Sequence, residues 1–297
     1  MNDAFFSIRD DRALIRVAGE DTRPFLQGLV SNDIDKVGAE RAIYAAFLTA
    51  QGKFLHEFFI AEFDGALLLD CEAARRDDLL RRLTMYNLRS KATIELADDL
   101  SVTVVFGDGA LPALGLEPAV GAANTSNGGV AFVDPRLVAI GARTFLPRDS
   151  AATSLTAAGY LEGSADAYET LRLSLGLPDG SRDLEIEKSI LLESGFDELN
   201  GVDWDKGCFL GQELTARTKY RGLVKKRLMP VAIDGPAPAP GTALFADGKD
   251  AGEMRSAHDK QGIALIRIDA LNSGHPLTAD KATIHPKKPD WLVFQEE

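Results

Sequence analysis

The sequence is poor in cysteine, with only Cys71 and Cys208, which stand 137 positions apart. Neither belongs to a C-x-x-C pair or to a cysteine and histidine cluster at metal-ligand spacing, so the pattern excludes a disulfide framework and predicts no resident metal. Free thiols of this kind are typical of a reducing compartment. We therefore expect a cytoplasmic protein.

Long apolar runs are also missing. No stretch approaches the roughly 18 apolar residues that a membrane span requires. The first residues, MNDAFFSIRDD, lack the basic segment followed by an apolar segment that marks a secretory signal. We expect no membrane partner.

Positive charge is in deficit, since 33 Lys and Arg oppose 45 Asp and Glu and give a net charge of −12. Such a chain does not coat nucleic acid or an anionic membrane with its whole surface. Its 45% apolar and 26% charged residues are ordinary globular values. A length of 297 residues is enough for two or three packed units.

The first half of the chain predicts an α+β arrangement. Alternating or apolar runs favour strands at 13–17, 43–49, 54–63 and 66–70, with a hairpin turn at Gln51-Gly52. Residues 73–88 place Leu79, Leu80, Leu83 and Tyr86 on one helical face, and strands near 92–96 and 101–106 follow. This order is typical of helices packed on an antiparallel sheet.

The second half is less regular until its end. Residues 107–129 predict a loop with a poorly marked helix, 130–146 short strands, and 165–175 a helix closed by Gly176 and Pro178. A turn-rich stretch at 234–241 then leads to short strands only, at 242–246, 263–268 and 291–294. The last 70 or so residues therefore predict a small all-β unit.

Residues 206–227, KGCFLGQELTARTKYRGLVKKR, carry a net charge of +6 in this acidic chain. One interpretation is a solvated helix face with Glu213 and Arg217 paired at i and i+4. The other starts from Cys208, which precedes a helical pattern beginning at Gln212 and stands beside Lys206. Both features favour a thiolate, so Cys208 is a candidate nucleophile or soft-metal ligand with a lowered pKa. The alternative is a small inert hydrophobe.

The string from Lys206 to Glu213, followed by Arg217 and Tyr220-Arg221-Gly222, resembles the K-G-C-[YF]-x-G-Q-E signature of the YgfZ family. Members of that family are folate-binding proteins of iron–sulfur cluster maintenance. Residues 19–33 (GEDTRPFLQGLVSND) resemble the family's opening motif, 48–57 its glycine-turn hairpin, and 193–196 the segment before the signature.

The resemblance implies a fold like that of the glycine cleavage T-protein, with three domains around a central tetrahydrofolate channel. It places a folate-binding region at 1–225, with an α+β subdomain at about 48–106 inserted in it, and a β-barrel at 226–297. Tetrahydrofolate or another reduced folate is the implied cofactor. Iron–sulfur client or scaffold proteins are the implied partners, and support of tRNA modification is an implied consequence.

The resemblance also implies site residues. The reactive group is Cys208, assisted by Lys206 and Glu213. Tyr168 is expected against the folate ring or, equally, in the core, and Arg217 or Arg221 at the glutamate tail. The implied folate-binding residues are Tyr168, Glu193, Gly207, Gly211, Gln212, Arg217 and Arg221.

Two departures weaken the T-protein chemistry. The Asp-Asp pair that supplies its catalytic carboxylate aligns with His56 and Glu57, and the glutamate that holds the pterin aligns with Ser174. We therefore expect an accessory factor for assembly or repair of iron–sulfur clusters. A folate-dependent aminomethyltransferase is the alternative. An RNA-binding module is a third, but Phe209 and Tyr220 are the only aromatic residues in the basic segment, so we expect no stable nucleic-acid complex.

Overall fold

The computed structural model describes residues 4–126, 128–222 and 224–293. The described chain separates into two compact units. Unit 1 comprises Met1–Leu48, His56–Tyr168 and Asn200–Leu210, and unit 2 comprises Thr49–Leu55, Glu169–Leu199 and Gly211–Glu297. Each unit is therefore assembled from segments that are distant in the sequence.

The regular elements are numbered in chain order. The strands are β1 (Phe5–Ile8), β2 (Arg12–Ala18), β3 (Ile43–Leu48), β4 (Phe54–Phe63), β5 (Ala66–Glu72), β6 (Thr93–Leu96), β7 (Leu100–Phe106), β8 (Ala123–Ser126), β9 (Gly129–Val133), β10 (Ala142–Pro147), β11 (Leu161–Glu162), β12 (Lys226–Asp234), β13 (Ala243–Ala246), β14 (Lys249–His258), β15 (Gln261–Arg267), β16 (Leu277–Ala279) and β17 (Ala282–Pro286). The α-helices are α1 (Thr22–Gln27), α2 (Arg76–Tyr86), α3 (Ala151–Ala157), α4 (Ala165–Leu175), α5 (Gly180–Asp183), α6 (Gln212–Tyr220) and α7 (Ile268–Asn272).

A six-stranded sheet has the order β11-β1-β7-β10-β9-β8, with β1 and β11 parallel and the other pairs antiparallel. Its central strand β7, LSVTVVF, is rich in β-branched residues and buried throughout, as expected for a strand covered on both faces. Phe6, Val105 and Val133 pack with Leu155 of α3 in one apolar cluster. That helix therefore covers one face of the sheet.

A five-stranded sheet has the order β3-β4-β5-β2-β6. Strand β4 is buried from Phe54 to Ala61, so its apolar run is continuous rather than alternating. Helix α2 buries Leu79 and Leu83, which lie four residues apart on one helical face. This sheet and the six-stranded sheet supply the core of unit 1.

The strands β12-β15-β14-β13-β16-β17 form a closed barrel, so no sheet edge is left unpaired. Its interior is filled by apolar side chains that include Met229, Leu244, Met254 and Ile266. Gly252 has φ +134°, and a Cβ there would lie 2.0 Å from the main-chain oxygen of Leu265. Only glycine fits where β14 approaches β15 this closely.

Helix α4 lies against the barrel in unit 2. Its Leu173 packs with Leu228, Ile263 and Leu265. The indole Nε1 of Trp291 donates to the main-chain oxygen of Leu175 at 2.7 Å, which satisfies a carbonyl at the end of the helix. The C-terminal segment therefore fixes the end of α4.

The predicted fold class is confirmed, because the chain is α+β and ends in a six-stranded barrel. The helix at 165–175 and the hairpin of β3 and β4 have the predicted positions. Strands β6 and β7, predicted in one sheet, instead pair with β2 and with β1 and β10. Contacts between distant residues decide such pairings, and local periodicity does not report them.

Two further local predictions were wrong. The weak helix expected within 107–129 is a single 3-10 turn at Pro112–Leu114, followed by β8. The strand expected at 291–294 is absent from 291–293, and residue 294 lies outside the described residues. The division into compact units does not follow the expected boundary after residue 225, because 169–199 and 211–222 group with the barrel. The domain boundary itself stays a prediction.

Candidate functional site

The signature segment is shared between the two compact units, which divide it after Leu210. Unit 1 holds four of the predicted site residues: Tyr168, Lys206, Gly207 and Cys208. Unit 2 holds the other six: Glu193, Gly211, Gln212, Glu213, Arg217 and Arg221.

In unit 1, Lys206 joins the signature segment to the end of α1. Its Nζ donates to the main-chain oxygen of Gln27 at 2.7 Å and to that of Val30 at 2.5 Å. The last carbonyls of a helix have no partner within the helix, and a cation there is favourable. The ammonium also lies 5.1 Å from the centre of the Phe209 ring. Lys206 therefore uses its ammonium hydrogens to hold the signature segment against the end of α1.

Burial lowers the pKa of Lys206 to about 8, because the ammonium ion loses solvation, while Asp33, Asp203 and Asp35 oppose that change. A lysine in this range loses part of its charge just above neutral pH. Lys206 was predicted to act on the neighbouring thiol, and that role stays a prediction.

Cys208 is exposed, whereas Cys71 is buried in β5. Burial raises the pKa of the Cys71 thiol to about 12, so it stays protonated at neutral pH, as expected for an inert cysteine. Gly207, next to Cys208, is also exposed and has φ +92°, a conformation that favours glycine. Of the two thiols, Cys208 is the one presented to solvent.

In unit 2, α6 begins at Gln212 as predicted, after Gly211 with φ +82°. Glu213 accepts a hydrogen bond from Arg217 at 2.6 Å, which confirms the i and i+4 pair. Both side chains are well exposed, so the pair contributes little to stability. Arg221 follows the helix and is exposed. The helix therefore turns a polar, mostly cationic face to solvent.

Glu193 lies in the 3-10 turn Leu191–Ser194 of unit 2 and is half-buried. The neighbours Leu191, Leu192 and Ser194 are buried, and Gly195 ends the turn with φ +77°. Glu193 is thus the most solvent-accessible side chain of a turn that is otherwise packed inward.

Tyr168 is almost fully buried in unit 1, with 2% of its surface accessible. Its ring packs edge-on against Phe106, with centres 5.6 Å apart, and the guanidinium carbon of Arg9 lies 5.0 Å from its centre. This placement favours the alternative interpretation, a tyrosine of the core.

The residues that align with the T-protein carboxylates are His56, Glu57 and Ser174, and each makes contacts within the protein. His56 lies 3.0 Å from Asp78, and burial lowers its pKa to about 4. Glu57 accepts a hydrogen bond from Arg12 at 2.6 Å. Ser174 is exposed and donates to the main-chain oxygen of Leu171. None of the three presents a free carboxylate to a substrate.

Sequence reasoning missed a buried network of charges in unit 1. Asp70 accepts from Arg12 at 2.6 Å and from Arg143 at 2.8 Å, and Arg143 also donates to Asp134 at 3.2 Å. Arg136 completes the network by donating to both oxygens of Asp134. The only sequence signal was a charged residue inside an apolar strand, such as Asp70 after Ala66–Leu69. Its partners come from distant strands.

Burial disfavours ionisation of Asp134, but the charges of Arg136 and Arg143 outweigh it and lower the pKa of that carboxyl. The network joins β2, β4 and β5 of one sheet to β10 of the other. It therefore ties the two sheets of unit 1 together.

Two features are absent from the described ranges. There, no three His, Cys, Asp or Glu side chains are close enough to hold a metal ion. The helices of the same ranges include none that is long and apolar enough to cross a membrane.

Comparison with known proteins decides the family. Residues 225–294 match the family model described as CAF17, C-terminal beta-barrel domain. The chain is 33% identical over 307 residues to the mitochondrial iron–sulfur cluster assembly factor IBA57 of Mus musculus, covering 95% of this chain and 84% of that protein. The Homo sapiens protein of the same name is also 33% identical, over 306 residues, with 95% and 83% covered. The chain belongs to the IBA57 family.

The fold of this IBA57 family member is that of the T-protein. It superimposes on the glycine cleavage system aminomethyltransferase T of Bartonella henselae with a TM-score of 0.80, covering 96% of this chain and 85% of that one. The identity is 13%, so the match shows the fold alone. The expected T-protein-like architecture is confirmed, and the narrower assignment to the YgfZ family stays a prediction.

The expected cytoplasmic location is wrong by the same comparison, because the IBA57 relatives carry the designation mitochondrial. The expectation rested on free thiols and on the absence of a signal pattern. Cysteine usage reports the redox state of a compartment, so it cannot distinguish one reducing compartment from another.

Proposed function

We propose that this IBA57 family member acts as an iron–sulfur cluster assembly factor and that Cys208 is the residue through which it contacts the cluster. The IBA57 relatives are named for this activity. The observation that carries the role of Cys208 is its position: it is an exposed thiol between Lys206, which binds the end of α1, and the buried Phe209.

The cluster is the cargo of this protein, and one thiol cannot hold it alone. Common clusters take about four protein ligands. In the described part of the chain, no further group of ligands lies together. Cys208 would therefore supply one ligand, and a client or scaffold protein would supply the others. Such shared ligation suits transfer better than storage.

We also propose a reduced folate as a ligand, on the strength of the sequence resemblance. Fit to the described side chains is partial. Arg217 in α6 and Arg221 directly after it are exposed cations that suit the carboxylates of a glutamate tail. Ser174 and the buried Tyr168 do not suit the pterin ring. No chemical step is therefore assigned to the folate.

The aminomethyltransferase alternative is not favoured. The residues that align with the T-protein carboxylates are an Asp78-bound histidine, an Arg12-bound glutamate and an exposed serine. His56 and Ser174 carry no carboxylate, and the Glu57 carboxylate is buried against Arg12, whereas the thiol of Cys208 has no counterpart in T-protein chemistry.

The test removes each thiol in turn. Cys208→Ala and Cys71→Ala are expressed in cells lacking the protein, and the activity of an iron–sulfur enzyme is measured. We expect Cys208→Ala to fold, because an exposed side chain contributes little to packing. We also expect it to lose support of that enzyme, because the thiol that contacts the cluster is gone. Cys71→Ala is the matched control and should retain support.

Full support by Cys208→Ala would refute the role of this thiol. Turnover of methylene-tetrahydrofolate with an aminomethyl donor by the wild-type protein would instead favour the transferase.

A further inference from the structure

Two motifs that are far apart in the sequence meet in unit 1. Gln27, from the opening motif at 19–33, is the last residue of α1, and Lys206 starts the signature segment. They are separated by 179 positions, and the side chain of each residue donates to the main-chain oxygen of the other.

Gln27 has polar contacts through both its side chain and its main-chain oxygen. Its Nε2 donates to Asp33 Oδ1 at 2.8 Å and reaches the main-chain oxygen of Lys206 at 3.5 Å. Its Oε1 accepts from the main-chain N–H of Ile34 at 2.9 Å, and its main-chain oxygen accepts from Lys206 Nζ at 2.7 Å. A primary amide can donate through its nitrogen and accept through its oxygen at the same time.

The far end of the segment is held to the same turn. The N–H of Leu210 donates to the main-chain oxygen of Gly28 at 3.0 Å. The Phe209 ring is buried, with 7% of its surface accessible, and lies under the Lys206 ammonium. Gly207 and Cys208 are thus an exposed pair between fixed residues.

We propose that Gln27 is a positioning residue for Cys208, acting by fixing the segment Lys206–Leu210 onto the end of α1. The inference rests on the proposed function of Cys208. Gln27 acts through the turn at 27–34, which it orders by its bonds to Asp33 and Ile34. The carbonyls of that turn then hold Lys206 and Leu210. A fixed thiol loses less conformational entropy when it joins a shared cluster.

The test is Gln27→Met, which keeps the length and removes the polar contacts of the side chain. Hydrogen exchange of the Leu210 amide should accelerate about tenfold, since the bond to Gly28 opens more often. Support of an iron–sulfur enzyme in cells lacking the protein should fall, while the midpoint of thermal unfolding stays close to the wild-type value. Gln261→Met in the barrel is the matched control, because Gln261 is also half-buried.

A second variant guards against a folding defect. Gln27→Glu keeps the acceptor for Ile34 but sets a carboxylate beside Asp33 and the Lys206 oxygen, so it should accelerate the same exchange. Unchanged exchange in both variants would overturn the proposal, and so would faster exchange with full enzyme support. Full support by Cys208→Ala would refute the proposed function instead, and the exchange data would still decide whether Gln27 holds the segment.

Discussion

The guanidinium of Arg12 donates a hydrogen bond to the carboxylate of Glu57 across 2.6 Å, and both side chains are almost fully buried. Two buried charges of this kind lose their hydration on folding, so their mutual contact must replace it. The sequence resemblance aligns Glu57 with one residue of the Asp-Asp pair that supplies the catalytic carboxylate of T-proteins. In this chain Glu57 instead pairs with Arg12 in the interior of unit 1.

Replacing Glu57 by Gln should therefore cost about 3 kcal/mol of unfolding free energy, because Arg12 would remain buried with one of its charged partners gone. Glu62→Gln on the same strand is the control. Its partner Arg23 and Glu62 itself are about one-third exposed, so this change should cost less than about 1 kcal/mol. Urea unfolding measures both values, and equal losses would contradict the structural role of Glu57.

His56 makes stability depend on pH. It lies 3.0 Å from Asp78, with Arg75 and Arg82 also acting on it, and burial lowers its pKa to about 4. An unfolded histidine has a pKa of about 6.5, so the unfolded chain takes up the proton first as pH falls. The stability that neutral His56 provides is present above about pH 6.5 and is lost as pH falls towards 4.

Between pH 7 and pH 5 the wild-type protein should therefore lose about 2 kcal/mol more than His56→Gln does. Chemical unfolding at both pH values measures the difference. His258→Gln, at a more exposed histidine of the barrel, is the control for removing an imidazole side chain. A His56→Gln profile parallel to the wild type would show that folding does not lower the pKa of this histidine.

Arg172 has a fully buried guanidinium in unit 2. It donates to Asp183 at 2.6 Å, to the main-chain oxygen of Leu177 at 2.7 Å, and to both oxygens of Glu169. Lysine cannot reproduce this planar fork. Arg172→Lys should cost about 3 kcal/mol of unfolding free energy, because two carboxylates stay buried with fewer donors.

Arg182 also donates to Glu169, at 2.7 Å, but its side chain is 47% exposed. Arg182→Lys should cost less than about 1 kcal/mol, and it is the matched control for Arg172→Lys. If thermal unfolding gave equal shifts for both variants, burial would not be the cause.

Arg221 offers a test of the proposed folate tail site. Because each added glutamate brings another carboxylate, Arg221→Ala should weaken a polyglutamated reduced folate more than the monoglutamate. Isothermal titration calorimetry with both ligands measures the ratio, with Lys281→Ala as a control at an exposed lysine of the barrel. Equal losses for both ligands would reject this role for Arg221, and no binding at millimolar ligand would remove the folate proposal.

The candidate site illustrates what a sequence motif can and cannot predict. The signature residues predicted a helix starting at Gln212 and the Glu213–Arg217 pair, and both are present because both depend on residues within one helical turn. The partners of Lys206 were not predicted. They are main-chain oxygens near position 30, and any residue type supplies such an oxygen.

The sequence by itself determined the order of most strands, the helix at 165–175 and the final all-β unit. These features follow from periodicity and composition over a few residues. Tertiary structure alone decided that β6 and β7 join different sheets, that Tyr168 is buried, and that Arg12, Asp70 and Arg143 form one network. The physical reason is that strand pairing and charge burial depend on which distant segments come into contact. The same local pattern of apolar and polar residues is compatible with several different pairings.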